Sequence, residues 1–316
     1  MRTYIISRLL LAIPTLFGVS VVAFLTIHLI PGNIVEVMLG TRTDVTPQQI
    51  AELNKLYGIS TPLWQQYLIW AGHSMHADLG FSLRTGVPVT TLLGSALGVT
   101  AELTVLAVVI ALLIAVPAGV WSAVGHNSVG DVAGRLLSLL ALSIPAFWLG
   151  TLLILAVSIY LPWLSSFTFV PFLQNPAGNV QTMILPACTL GLGLAAIIMR
   201  MTRAAMLEVL RKDYLRTARA KGLGRARVLA KHALRNALLP VITVVGLQIG
   251  YLVGGAVVIE NVFTLPGVGR LVVQAIEQRD YPLVQSVVFA VAALVILVNL
   301  LVDLSYAWVD PRIRYS

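Results

Sequence analysis

The 316-residue chain is 58% hydrophobic and only 11% charged, with a net charge of +8, one cysteine and a mean hydropathy of +0.90. Ordinary globular proteins are about 25% charged. The apolar surplus must therefore face lipid, which excludes a soluble enzyme, a disordered chain and a disulfide scaffold. The single cysteine, Cys188, also excludes an intrachain disulfide and a cysteine-based metal site.

Six apolar windows are candidate membrane-spanning helices, which take about 20 residues; the fourth is short and is expected to extend into Met201. They cover 9–30, 97–120, 136–160, 183–198, 238–259 and 283–302. The first is longer than the apolar region of a signal peptide and lacks a small-residue cleavage site, so it is interpreted as a retained helix. The sequence predicts an all-α polytopic membrane protein with six transmembrane helices.

The segment 31–95 is too long for a simple connector and is predicted to be a small helical insert. Residues 46–49 (TPQQ) form a capping box with proline at the first helical position. A second helix is predicted from Thr61-Pro62 to Gly72. The predicted organisation is a first transmembrane helix at 1–30, the insert at 31–95 and a five-helix core at 96–316.

Lys and Arg residues concentrate between Arg200 and Arg235, which hold 11 of the 21 in the chain. Basic loops remain on the cytoplasmic side of a membrane. We therefore predict that this loop and both termini are cytoplasmic and that 31–95 lies outside. A single basic loop favours topology over nucleic-acid binding, so the bilayer, and not a nucleic acid, is the expected partner.

The sequence contains no Gly-Lys dipeptide and no HExxH, CxxC or GxSxG motif, so no P-loop, protease or redox site is predicted. His73 and His76 have a spacing that a metal site can use, but a polar turn after a helix is the favoured interpretation. Glu102 begins the second span, where it caps, pairs or faces a substrate path. Ionisable residues are sparse within the spans, which points to transport driven by an external energy source.

The most informative segment is 208–240, with the sequence EVLRKDYLRTARAKGLGRARVLAKHALRNALLP. It is predicted to form two basic helices with a break at Gly222 and Gly224, because glycine adopts the positive φ of a sharp turn at little cost. Two short helices held at a bend are typical of a cytoplasmic element that docks on a partner. The alternative is a loop that only anchors topology and touches anionic lipid.

Within this segment, 213–223 and 231–240 resemble the EAA loop of bacterial ABC importer permeases, in the form of the dipeptide/oligopeptide/nickel branch. Arg216-Thr217-Ala218 takes the place of Glu-Ala-Ala. Four further segments resemble the first permease of that branch, namely 8–32, 62–82, 260–269 and 310–315. Asn33 stands where the branch usually has aspartate after Pro-Gly.

The resemblance implies the type I ABC importer permease fold and a non-catalytic subunit, without cofactor, in the bacterial or archaeal cytoplasmic membrane. It implies a second homologous permease, two ATP-binding cassette subunits that bind ATP and Mg, and an extracytoplasmic binding protein that delivers peptides. The ATPase-docking residues carried over from the family are Arg216, Thr217, Ala218, Lys221, Gly222 and Leu223.

The segment 260–278 is less apolar than the spans and joins the last two of them on the outside. We expect it at the extracytoplasmic mouth, with a plain connector as the alternative. The candidate mouth residues are Glu260, Phe263, Pro266, Gly267 and Gly269.

Other functions remain open at the level of sequence. The same branch also moves nickel, glutathione, opines and oligosaccharides. Rivals from other classes are an autonomous channel, a secondary transporter and a membrane-embedded enzyme. The scarcity of ionisable residues in the spans disfavours these rivals.

Overall fold

A computed structural model describes residues 2–28, 61–161 and 168–309, where the regular structure is helical. The helices are α1 Arg2–His28, α2 Leu63–Met75, α3 Val89–Val124, α4 Val129–Ser143, α5 Ala146–Tyr160, α6 Pro176–Leu210, α7 Asp213–Ala220, α8 Arg225–Arg227, α9 Arg235–Val262, α10 Val268–Glu277 and α11 Tyr281–Val309. A π-helix, Val228–Leu234, joins α8 to α9. The predicted capping-box helix at 46–49, Asn33 and the tail 310–315 lie outside the described residues.

Five helical segments of the described chain are long and apolar enough to cross a membrane: Arg8–Thr26, Val89–Val124, Pro176–Leu210, Arg225–Val262 and Tyr281–Leu300. Helices α4 and α5 form a bent pair that makes a sixth span if counted as one. The prediction of an all-α polytopic membrane protein is confirmed. The spans predicted at 183–198 and 238–259 lie within much longer helices.

The window 136–160 is not one continuous helix, which corrects the sequence-based expectation. Helix α4 ends at Ser143, α5 begins at Ala146, and the two are bent by 101°. Pro145 causes the break, because a proline ring disfavours the helical conformation of the residue before it. Ile144 is accordingly extended, with φ −84° and ψ 123°.

The chain forms two compact units, Met1–Gly98 with Arg270–Ser316, and Val99–Gly269. The second unit is built around α6, where 67% of the span window is buried. Small residues allow helices in lipid to approach closely. A Cβ atom on Gly191 of α6 would lie 2.7 Å from the Ala107 carbonyl oxygen of α3. On α3, the core contains residues that recur every four positions, namely Val99, Leu103, Ala107, Ala111 and Ala115.

The first unit contains α1, α2 and α11. Its polar anchor is Asp280, which directly precedes α11 and is 1% exposed. The Asp280 carboxylate accepts hydrogen bonds from the Ser82 hydroxyl and from the Leu83 amide at 3.2 Å. Arg84 Nε donates to the Gln278 carbonyl oxygen at 2.7 Å. These bonds fix the loop that follows α2, which carries the motif Asp78-Leu79-Gly80-Phe81-Ser82.

Candidate functional site

The bend predicted at Gly222 is present and closes α7 with a Schellman motif. Gly222 has φ +80°. Its amide donates to the Arg219 carbonyl at 2.9 Å, and the Leu223 amide donates to the Ala218 carbonyl at 3.3 Å. This bond pattern requires a left-handed residue after the helix, which favours glycine. Gly224 has an ordinary φ of −61°, so the turn depends on Gly222.

A small apolar cluster holds α7 against the rest of the second unit. Leu215 of α7 is fully buried, and Ala218 is 8% exposed. Their neighbours in the cluster come from the ends of α3 and α6 and from the chain after the bend, and they are Ala123, Ala205, Met206, Val228, Ala233 and Ala237. The opposite face of α7 remains exposed.

The predicted docking residues divide between these two faces. Arg216, Thr217, Lys221 and Gly222 are exposed. Ala218 is buried and Leu223 is half-buried against the same cluster, so both side chains pack inward, and Leu223 also lines the groove described next. The exposed face is basic, and an open groove of about 480 Å³ lies beside the bend. Its lining comprises Val124, Leu210, Arg219, Leu223, Arg225, Val228 and Leu229.

The segment after the bend contains a π-helix that the sequence does not predict. A continuous α-helix over 225–237 is expected from composition, but residues 228–234 are π-helical. Such turns are rare and frequently lie at functional sites. Tyr214 of α7 connects to this region, because Asn236 Nδ2 donates to the Tyr214 hydroxyl at 3.0 Å and to the His232 carbonyl at 2.8 Å.

A buried carboxylate links the helices that support α7. The Asp131 side chain is fully buried near the start of α4. Arg203 of α6 donates to both of its oxygens, from Nε at 2.6 Å and from a terminal nitrogen at 2.8 Å. The Ser122 hydroxyl of α3 and the Asn127 amide also donate to it. Arg135 Nε lies 3.7 Å from the same carboxylate, and its side chain is 46% exposed.

A second buried carboxylate lies at the far end of α9 from the docking segment. Glu260 is fully buried and accepts hydrogen bonds from the Thr100 hydroxyl at 2.6 Å and the Gly269 amide at 2.7 Å. The Thr100 hydroxyl in turn accepts from the Val268 amide at 2.9 Å. The network therefore fixes the turn between α9 and α10 to α3.

The predicted mouth residues are mostly buried in this turn. Phe263 is 1% exposed, whereas Pro266 is exposed. A Cβ atom on Gly267 would overlap the Glu260 carboxylate, and one on Gly269 would overlap the Val257 backbone. Both glycines are thus required for close packing. Valine at either position would disrupt this packing, so a loss of uptake in such a variant would report on the packing of the turn as well as on a role in transport.

The second helix of the insert, predicted to end at Gly72, continues to Met75, so His73 lies in its last turn and His76 follows it. His73 Nδ1 lies 2.9 Å from Asp78 Oδ2, whereas His76 Nδ1 lies 2.8 Å from the Gly72 carbonyl oxygen. The Gly80 amide and then the His73 ring lower the pKa of Asp78. The two histidines thus have different partners.

Glu102 lies well inside α3, and its buried Oε1 has no hydrogen-bond partner among the described residues.

Comparison with known families covers nearly the whole chain. Residues 115–315 match the family described as the binding-protein-dependent transport system inner membrane component. Residues 1–104 match the family described as the N-terminal part of such membrane components.

Curated relatives align with this chain over their full length. It is 44% identical over 339 residues to the dipeptide transport system permease protein DppB of Escherichia coli (strain K12), with 100% of each chain covered. It is 44% identical over 336 residues to the di/tripeptide transport system permease protein DppB of Pseudomonas aeruginosa (strain UCBPP-PA14), again with 100% of each covered. It is 41% identical over 316 residues to the glutathione transport system permease protein GsiC of Escherichia coli O6:H1, also with 100% of each covered.

The Asp131 cluster predicts unequal effects for its two arginines. Arg203→Ala leaves a buried carboxylate without its charged partner, which costs about 3–5 kcal/mol of unfolding free energy. The matched variant Arg135→Ala removes an exposed partner of the same carboxylate and costs about 0.2–1 kcal/mol. Thermal unfolding of the purified protein in detergent measures both. Equal midpoints for the two variants would contradict the assignment of Arg203 as the partner that matters.

The Glu260 network predicts a similar contrast between two threonines of α3. Thr100→Val keeps the side-chain volume but removes one hydrogen bond to the buried Glu260 carboxylate and the acceptor of the Val268 amide, at a cost of about 1–3 kcal/mol. Within the described part of the chain, the Thr104 hydroxyl bonds only to the Thr100 carbonyl of its own helix, so Thr104→Val should change stability little. Thermal unfolding tests the pair, and a greater loss in Thr104→Val would refute the network's role.

Proposed function

Because this chain belongs to the family of inner-membrane components of binding-protein-dependent transport systems and is a permease subunit of an ABC importer, we propose that it forms half of a translocation pathway for peptides. The resemblance of the chain to the dipeptide/oligopeptide branch of ABC importer permeases is therefore confirmed. Peptide relatives at 44% identity over their whole length support the substrate class. A second homologous permease completes the pore in this proposal.

The concentration of Lys and Arg in 200–235 supports a cytoplasmic location for α7 and for both termini. The turn after α9 then lies on the outer side, and the segment 31–95 begins and ends on that side. Helix α9 has 28 residues, and at 1.5 Å per residue it extends about 42 Å. This length is enough to separate a cytoplasmic docking site from an extracytoplasmic mouth.

The observation that carries the proposal is the exposed basic face of α7, held by a Schellman turn and an apolar cluster. Two partner ATPases bind ATP and Mg, and one of them docks on Arg216, Thr217 and Lys221. This chain itself hydrolyses no ATP and needs no cofactor. Ala218 and Leu223 contribute by setting the angle of α7, since they pack inward.

Force from the ATPase can pass from α7 into the spans through packed contacts. Leu215 and Ala218 contact the cluster that contains the ends of α3 and α6. Arg203 then joins α6 to α4 through Asp131. A displacement of α7 therefore moves a group of helices whose mutual positions are fixed by burial and by hydrogen bonds.

On the outer side, we place the mouth at the turn after α9. Pro266 is the exposed member of the predicted set and is available to a delivering binding protein. Glu260, Phe263, Gly267 and Gly269 hold the turn in shape from beneath. Their contribution to transport is thus the fixed position of an exposed loop.

Glutathione is the second candidate substrate. It is supported because the glutathione relative aligns over the same number of positions as this chain has residues. The dipeptide relatives align over 339 and 336 positions against 316 residues in this chain, so they contain residues that have no counterpart here. The glutathione relative aligns over 316 positions. Both substrates are peptide-like, and both fit the same permease class.

Coupling at the bend is tested by exchanging its two glycines. Valine at Gly222 must adopt φ near +80°, which costs about 1–2 kcal/mol. A docked arrangement disfavoured by about 1.4 kcal/mol is populated about tenfold less. Uptake and transport-linked ATPase activity of the reconstituted complex should fall by about that factor or more in Gly222→Val, with membrane insertion retained.

Two matched variants make this test specific. Gly224→Val places the same side chain at a position with an ordinary φ and with no atom within 4 Å of the added Cβ, so its effect should be small. Arg219→Ala should also be milder, because exposed ion pairs contribute only about 0.2–1 kcal/mol. Full activity in Gly222→Val, or a larger loss in Arg219→Ala, would contradict coupling by shape.

Substrate class is tested by uptake in a strain that lacks its own peptide and glutathione importers. The chain is expressed with its cognate permease, ATPases and binding protein, and uptake of labelled dialanine and labelled glutathione is measured. Dialanine uptake that falls about tenfold or more in the Gly222→Val complex is the expected result. Glutathione uptake alone would establish the second candidate, and uptake of neither compound would contradict both.

A further inference from the structure

Helix α2 packs directly against a membrane-spanning segment. The Tyr67 hydroxyl lies 2.8 Å from the Ser20 hydroxyl of α1. The Tyr67 ring meets Phe17 and Phe24 edge to face, with centroids 6.3 Å and 5.5 Å apart. All three α1 residues belong to the candidate span Arg8–Thr26. The inner face of α2 is therefore in contact with a part of α1 that crosses the bilayer.

The length of this span determines the depth of the contact. The span has 19 residues, which extend about 28 Å at 1.5 Å per residue. The hydrocarbon core is about 30 Å thick, so the whole span is needed to cross it. Ser20 precedes Thr26 by six positions, or about 9 Å. Tyr67 therefore reaches a level well within the hydrocarbon core.

Contacts with a second candidate span, in α11, also place α2 at the depth of the membrane. The Trp70 ring lies 5.4 Å from the ring of Phe289 and 6.1 Å from that of Phe24. Phe289 lies in the candidate span Tyr281–Leu300 of α11, eight positions after its start. Trp70 therefore packs between two candidate spans, so α2 lies at least partly within the membrane.

The face of α2 that points away from α1 and α11 is exposed and largely apolar, with Gln65 as an exposed polar residue near its start. Trp64, Leu68 and Ile69 are 66%, 59% and 51% exposed. The sequence of the helix, LWQQYLIWAGHSM, contains no Asp, Glu, Lys or Arg. A helix in contact with water normally carries charge on its outer face. This outer face instead matches that of α1, whose Ile13 is 62% exposed within its span.

We propose that α2 is embedded in the bilayer and that its outer face contacts lipid acyl chains. The leaflet is the one that contains the Thr26 end of α1. Tyr67 contacts Phe17, Ser20 and Phe24, whereas the described contact of Trp70 with α1 is at Phe24, so the contacts move toward the Thr26 end of α1 as α2 runs from Leu63 to Met75. The polar residues His73, His76 and Asp78 follow at the shallow end, which suits the headgroup region. The second helix of the insert is thus a lipid-facing part of the transmembrane region, whatever substrate the importer carries.

The proposal is tested by spin-label accessibility in the complete importer, reconstituted in lipid nanodiscs with a Cys188→Ser background. Nitroxide labels are attached to Leu68→Cys, or to Trp64→Cys if the first variant assembles poorly. Ile13→Cys serves as the lipid-exposed reference, and His76→Cys as the shallow reference. Collision rates with oxygen, which dissolves in lipid, and with a neutral nickel chelate, which stays in water, are compared.

The expected ratio of oxygen to nickel collisions at Leu68 is close to that at Ile13 and several times that at His76. Met75→Cys should give an intermediate ratio, because the helix rises toward the surface. A nickel-dominated signal at Leu68 would place α2 in water and overturn the proposal. Low collision rates with both reagents would also overturn it, since they would show that protein, and not lipid, covers this face.

Discussion

The Asp131 carboxylate is the interaction on which the geometry of the docking segment depends. Helix α7 has only eight residues, and an isolated helix of that length is not stable in water. It takes its position from α6 and the end of α3, and Asp131 holds α6, α3 and α4 together. The desolvation of this acid is offset because an arginine, a hydroxyl and an amide donate to it. A fixed support of this kind allows a short helix to transmit force.

Helix α9 connects that support to the opposite end of the second unit. Its first turns contribute Ala237 to the cluster beneath α7, and its last turn contributes Glu260 to the network with Thr100. Along its middle, Val241, Leu252 and Ala256 pack in the same core as α3 and α6. A movement at either end is therefore opposed by buried contacts along the whole helix, which favours displacement of packed helices together over local bending.

The sequence predicts those features that depend on the conformational preferences of neighbouring residues. Thr61-Pro62 correctly indicates the start of α2, and the turn at Gly222 follows from the conformational freedom of glycine. The contacts that fix the site are not local: Arg203 is 72 positions from Asp131, and Thr100 is 160 positions from Glu260. No periodicity relates residues so far apart. The break at Pro145 has a local cause, but the sequence does not distinguish it from prolines that α3, α6 and α9 accommodate within their helices.

The docking face combines weak ionic contacts with a well-defined shape. This combination suits a contact that must form and release repeatedly. Arg216 lies 3.7 Å from Asp213, and both side chains are more than 80% exposed. Water and salt screen such pairs, so charge here guides the approach of a partner more than it holds the partner in place. The angle of α7 is instead set by the buried Leu215 and the backbone of Gly222. The orientation of the docked partner therefore persists when ionic contacts exchange with solvent, and mechanical coupling does not require permanent ion pairs.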